Sequence, residues 1–121
     1  MNIGYINVFV SDLAHAITFY QTQLRLELTM SAPEYGYAAF MAGAIKLAIV
    51  VPGPGQPAIT GRHTGIGFEV GDLEAEHARL LASGVQFTMP PTRQPWGGFM
   101  AMFADPDGNV FYLDQARGEP E

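Results

Sequence analysis

Cysteine is absent from the 121 residues. That excludes disulfides, thiolate metal ligands and cysteine nucleophiles, and it suits a reducing compartment such as the cytoplasm. Basic residues are few, six Lys and Arg against 12 Asp and Glu, for a formal net charge of −6. They are scattered along the chain, whereas phosphate binding needs them clustered, so nucleic acid is not an expected partner. An acidic field tolerates a cationic small molecule, and it equally serves solubility alone. No apolar run approaches the roughly 20 residues of a membrane span, so no membrane association is expected. The opening stretch "MNIGYINVFVSDL" has neither a basic n-region nor a long apolar core and is not expected to act as a signal peptide. The closing "ARGEPE" is expected to fray.

Apolar residues are plentiful. At 48% hydrophobic, a chain of this length can form one compact domain, or two small half-domains sharing a core. In "YINVFVSDL", Ile6, Val8 and Val10 alternate with Tyr5, Asn7 and Phe9, the pattern of a strand covered on both faces. Ser11 or Asp12 can cap a following helix, whose stripe is Leu13, Ile17, Tyr20 and Leu24. "YGYAAFMAG" and "AIKLAIVVPG" read as strands joined near Gly43. "PGPGQPAITGRH", dense in proline and glycine, reads as a linker.

The pattern then restarts. In "HTGIGFEVGDL", Ile66, Phe68 and Val70 alternate with Gly65, Gly67 and Glu69, and Asp72 can cap a helix. That helix has Leu73, His77, Leu80 and Leu81 on its inner stripe and ends at Gly84. "GVQFTMPP" reads as a short strand, and "FMAMFADPDGNVFYLDQ" as a hairpin with Gly108 where positive φ is needed. At an offset of 60, Ile6, Val8, Val10, Asp12 and Leu13 fall on Ile66, Phe68, Val70, Asp72 and Leu73. This predicts an α+β fold of two βαβββ motifs, residues 1–51 and 62–116, joined by a linker at 52–61. Their sheets are expected to curve around a cleft, with the helices outside.

"INVFVSDLAHAITFY", "HTGIGFEVGDLEAEHARLLASGV" and "QPWGGFMAMFADPDGNVFYLDQ" together resemble the vicinal oxygen chelate superfamily of glyoxalases, bleomycin-resistance proteins and extradiol dioxygenases. The resemblance implies paired βαβββ motifs and a homodimer. In metal-dependent members it implies four cleft-facing ligands, usually His, Glu or Gln, that let a metal act on vicinal oxygens as a Lewis acid. Counting from Asp12, from the glycine ending "AIKLAIVVPG", from Val70 and from Asp105 puts those positions at Tyr5, near Leu47, at Gly65 and at Tyr112. None is a usual ligand, and a tyrosine with its ordinary pKa of about 10 binds metal poorly at neutral pH. No metal and no cofactor are therefore expected. The remaining metal option is a displaced site built from His63 and Glu69, which supplies only two ligands. His77 is expected to be partly packed and His15 solvated, and "DPDG", with Asp105 and Asp107, reads as a folding feature.

The expected ligand-binding set is Tyr5, Asn7, Phe9, Leu47, Ile49, Gly65, Gly67, Glu69, Trp96, Tyr112 and Asp114, with Ile45, His63 and Val110 beside them. Trp96 can stack on a flat ligand or pack at a dimer edge, and Met41, Met100 and Met102 can add an adaptable lining. Three functions stay open. One is a metal-independent protein that binds an apolar or aromatic small molecule, neutral or cationic, in a cleft of a homodimer. Another is an enzyme: a metal-free isomerase or cyclase using Tyr5, Tyr112, Glu69 or His63, or a lyase or dioxygenase with displaced metal ligands. The third is an interaction module with a vestigial cleft.

Overall fold

In the computed structural model, residues 1–54 and 60–116 are described. The middle of the expected linker, and all of the tail expected to fray except Ala116, lie outside them. The described chain separates into two compact units, one of residues 1–62 with 106–109, the other of the remaining residues from 63 onward.

The first unit begins with β1 (Ile6–Phe9). Asp12 is extended and its side chain accepts a hydrogen bond from His15 N at 3.1 Å, giving one of the unpaired N–H donors at the helix start its missing acceptor. The helix α1 (Leu13–Thr18) runs straight into a π-helical turn, Phe19–Gln23. The wider winding of that turn breaks the expected spacing of the stripe. Ala16, Phe19 and Tyr20 are buried, while Leu13, Ile17 and Leu24 are only partly covered. Strands β2 (Glu27–Ala32), β3 (Tyr37–Ala42) and β4 (Ile45–Val50) complete the sheet in the order β1-β4-β3-β2. β1 and β4 are parallel and the other pairs antiparallel. α1 packs on β3 and β4, and Val8, Ala38, Phe40, Leu47 and Ile49 join Phe19 and Tyr20 in the core.

Residues 106–109 belong to this unit through specific polar bonds. The buried Asn109 donates from Nδ2 to Phe9 O at 2.9 Å, and its Oδ1 accepts from Gly61 N at 2.9 Å and Arg62 N at 3.3 Å. The Asp107 carboxylate accepts from Ser11 N at 3.1 Å and from Ser11 Oγ at 2.5 Å. Gly108 takes φ +83°, the left-handed conformation that a side chain would strain. "DPDG" thus serves folding, as expected.

The second unit repeats the plan. β5 (His63–Val70) leads to Asp72, whose side chain accepts from Ala75 N at 3.1 Å, and to α2 (Leu73–Ala82). β6 (Gln86–Arg93), β7 (Phe99–Ala104) and β8 (Val110–Gln115) follow, in the sheet order β5-β8-β7-β6. The α+β class and the two βαβββ runs are those the sequence predicts. The core is aromatic. Phe111 lies 5.4 Å between ring centroids from both Phe68 and Phe103, and Phe87 lies 5.9 Å from Phe103. Burying each such side chain is worth about 1.5–3 kcal/mol. Leu73 and Leu80 close this core, and the His77 ring meets Phe87 edge-on at 4.5 Å. Leu81 departs from expectation and is 49% exposed. It sits about 80° around the helix from Leu73, off the inner face. Pro90 and Pro91 fall on the edge strand β6, where missing N–H donors do not break a ladder, and the register slips between Met89 and Thr92 there.

Candidate functional site

The second sheet has one face against α2 and one open face. Along β8, Phe111 and Leu113 are buried and alternate with the partly exposed Val110, Tyr112 and Asp114. Ladder partners project to the same side of a sheet, so register identifies the open face row by row. Gly67, Tyr112, Met102 and Met89 form one row, and Glu69, Asp114, Met100 and Thr92 form the next. His63 pairs with Val110 at the start of β5.

A bulge sets the position of His63. Four residues of β5 pass from His63 to Gly67 while β8 advances two, from Val110 to Tyr112. Gly65 takes φ +73° within this bulge and has open space where a Cβ would stand. Thr64 Oγ1 donates to Val110 O at 2.8 Å and accepts from Ile66 N at 3.1 Å, satisfying backbone groups that the ladder leaves behind. Gly65 N donates to His63 Nδ1 at 3.1 Å. A ring nitrogen that accepts carries no hydrogen, so the neutral ring has its proton on Nε2. The His63 ring lies 4.7 Å from that of Tyr112.

Two carboxylates share the next row. Glu69 and Asp114 are register partners. Burial, and then the charge of Glu69, hold the Asp114 carboxyl above its ordinary range. Asp114 Oδ2 leans over Gly67, 3.1 Å from where a Cβ would lie, and Tyr112 Cβ is 3.6 Å from the same point. An alanine there would crowd both, so the bare backbone of Gly67 is part of the surface.

His63, Gly65, Gly67, Glu69, Tyr112 and Asp114 therefore come together on the open face, as do Met100 and Met102. Met89 and Thr92, which sequence reasoning missed, complete the two rows. No alternation signals them, because the register of β6 shifts between Phe87 and Met89 and again between Met89 and Thr92. Trp96 stands apart, 66% exposed in the loop between β6 and β7. Gly97 at φ +93° turns this loop, and Gly98 leaves room for the indole, whose Nε1 lies 2.7 Å from where a Cβ would be.

In the first unit, Tyr5 precedes β1 and is 60% exposed, and Asn7 and Phe9 share one face of β1. The expectation that Leu47 and Ile49 line a site with them is corrected. Leu47 pairs with Ile6 and Ile49 with Val8, so both point to the helix-covered side, at 2% and 0% exposure. Ile45 lies on the same side by alternation. The residues beside Asn7 and Phe9 are Ala48 and Val50. The counterpart of Tyr112 in the first repeat is therefore Ala48, since Asn7 pairs with Ala48 as Gly67 pairs with Tyr112. Anchoring the strand on its terminal glycine misplaced it by one residue, and one residue inverts a strand's faces. Among the described residues, no three His, Asp or Glu side chains gather as a metal would require, and no helix is long and apolar enough to cross a membrane.

Residues 2–113 match the profile of the Glyoxalase/Bleomycin resistance protein/Dioxygenase superfamily. The chain is 27% identical over 117 residues to the uncharacterized protein YetH of Bacillus subtilis, spanning 93% of this chain and 97% of YetH. Among solved structures, a superfamily member from Sphaerobacter thermophilus superposes with a TM-score of 0.83 at 27% identity, covering 96% of this chain and 98% of that one. TnmS3, an antibiotic binding protein from Streptomyces sp. CB03234, superposes with a TM-score of 0.81 at 30% identity, covering 97% of each chain. The chain belongs to the glyoxalase/bleomycin resistance protein/dioxygenase superfamily.

Proposed function

We propose that this protein binds an apolar or aromatic small molecule on the open face of its second sheet, without a resident metal, as a cytoplasmic homodimer. The observation that carries the reading is the row Gly67, Tyr112, Met102 and Met89, a bare backbone floor beside one aromatic ring and two adaptable thioethers, with His63 against the tyrosine. Such a mix of apolar lining and few polar groups suits a small organic ligand. The likeness to an antibiotic binding protein supports it. The family's metal positions hold Tyr5, Ala48, Gly65 and Tyr112, and these donors do not fit a resident divalent metal. His63 Nδ1 is engaged by Gly65 N, which weakens the case for a displaced site.

A thermal-shift screen of aromatic compounds tests binding. A ligand at 100 times its Kd should add about 2.7 kcal/mol of stability. Failure of a broad library to raise the midpoint contradicts the reading and favours a vestigial face. Equilibration with Zn²⁺, Mn²⁺ or Ni²⁺ followed by metal assay should find none retained, and sedimentation should find a dimer.

One observation favours a second reading as a metal-free enzyme. Asp114, whose carboxyl is held above its ordinary value by burial and then by the charge of Glu69, stands next to Tyr112, and perturbed carboxyls collect at catalytic sites. Under that reading Tyr112→Phe abolishes turnover of a bound compound while its affinity stays.

A further inference from the structure

The open face of the second sheet is polar at both ends, with opposite character. At one end, His63 carries its proton on Nε2 because Nδ1 accepts from Gly65 N, and the Tyr112 hydroxyl is a second donor. At the other end stand Glu69 and Asp114, which when ionised can only accept. Neither has a cation within the second unit's described residues. Arg79 pairs with Glu76 on α2 at 2.9 Å. Arg93 lies over the Phe99 ring at 4.3 Å, and both alternate with the open-face pair Thr92 and Met100, so that cation is on the opposite face. Two carboxylates in register cost free energy unless something positive joins them. Between the two ends lies the glycine floor, over which Asp114 Oδ2 leans. From the Val110 row to the Asp114 row is four residues of strand, about 13 Å at ~3.3 Å each. That length admits a two-ring molecule with a substituent at each end.

We infer that this face selects a flat aromatic cation, its ammonium group against Glu69 and Asp114 and an oxygen acceptor at His63 Nε2 and the Tyr112 hydroxyl. The inference rests on the binding reading above and adds the charge and orientation of the ligand.

Three methoxy-substituted probes sharing one ring test it by calorimetry on the full chain: naphthylmethylamine, naphthylmethanol and naphthoate. The amine should bind at least about tenfold more tightly than the alcohol, a difference of about 1.4 kcal/mol, and the naphthoate most weakly. A variant carrying both Glu69→Gln and Asp114→Asn should reduce the amine to the affinity that the alcohol has for the same variant. Equal binding of amine and alcohol, or an amine affinity indifferent to the double variant, overturns the inference while the binding reading stands. If none of the three binds, the binding reading itself fails and the inference with it.

The unaltered protein provides a second measurement should the variant not fold. The titratable groups facing the ligand are His63 and Glu69 from β5 and Tyr112 and Asp114 from β8; β6 and β7 contribute Met89, Thr92, Met100 and Met102. Amine affinity should fall as the pH is lowered and the carboxylates protonate, Asp114 above the ordinary carboxylate range. An amine affinity that holds constant through the acid range contradicts it.

Discussion

The two repeats share a plan and differ in what they expose. Asp12 and Asp72 cap their helices with the same bond at the same length, and the strand orders β1-β4-β3-β2 and β5-β8-β7-β6 are the same arrangement. Beyond the caps they diverge. The first helix passes into a π turn, while the second stays regular for 10 residues. The first sheet carries the buried alanines Ala39 and Ala48, paired in register, on the face of Asn7. At the matching place the second sheet carries Met102 and Tyr112, partly exposed and beside His63. The caps and pairing order are thus scaffold, free to repeat, while the side chains on one face are free to specialise. On this account, ligand chemistry is concentrated in the second repeat.

If each unit holds its own core, Phe40→Ala in the first and Phe111→Ala in the second should be comparably severe. Each removes a fully buried ring and should cost about 3–5 kcal/mol in urea denaturation. A loss under 1 kcal/mol in either would remove that unit's core from the account. Next in size is the Asn109 clamp of the first unit. Asn109→Leu leaves Gly61 N, Arg62 N and Phe9 O without their side-chain partner and should cost about 1–3 kcal/mol. The caps should behave as equals, Asp12→Ala and Asp72→Ala each costing about 1 kcal/mol. One cap proving silent would break the equivalence of the repeats.

The repeat was legible because its markers act locally. An aspartate before a helix and a glycine in a left-handed turn mean the same wherever they occur, as Asp12, Asp72 and Gly108 show. Strand faces were legible where alternation was clean, as in β5 and β8. They failed at β4, where "LAIVV" is apolar on both faces and the one polar residue, Lys46, was not used to separate Leu47 from Ala48. Leu81 failed for a similar reason, since a leucine beside the stripe resembles one on it. The bulge at Gly65 left no readable trace, because glycine alternation in "GIGFEV" also fits a regular strand. The His63–Tyr112 contact depends on that bulge and on register across β5 and β8, a long-range pairing that no short window contains.

The smallest expected effect concerns the acidic end of the open face. The folded Asp114 carboxyl is raised, so its contribution to stability is intact at low pH and is lost as the pH rises through that raised value. At about pH 7 the ionised pair opposes folding, and Asp114→Asn should raise stability by about 0.5 kcal/mol, the scale of a cross-strand pair. The advantage should vanish below the ordinary carboxylate range. An Asp114→Asn change that destabilises the protein at neutral pH would show the carboxylate to be held by favourable contacts instead.

The most direct measurement is an amide chemical-shift titration of the protein with methoxy-naphthylmethylamine. The account predicts that Gly67, Glu69, Tyr112 and Asp114 shift first and together, while residues of α1 and the π turn stay still. Shifts confined to the first unit, or none at all under saturating probe, would contradict it.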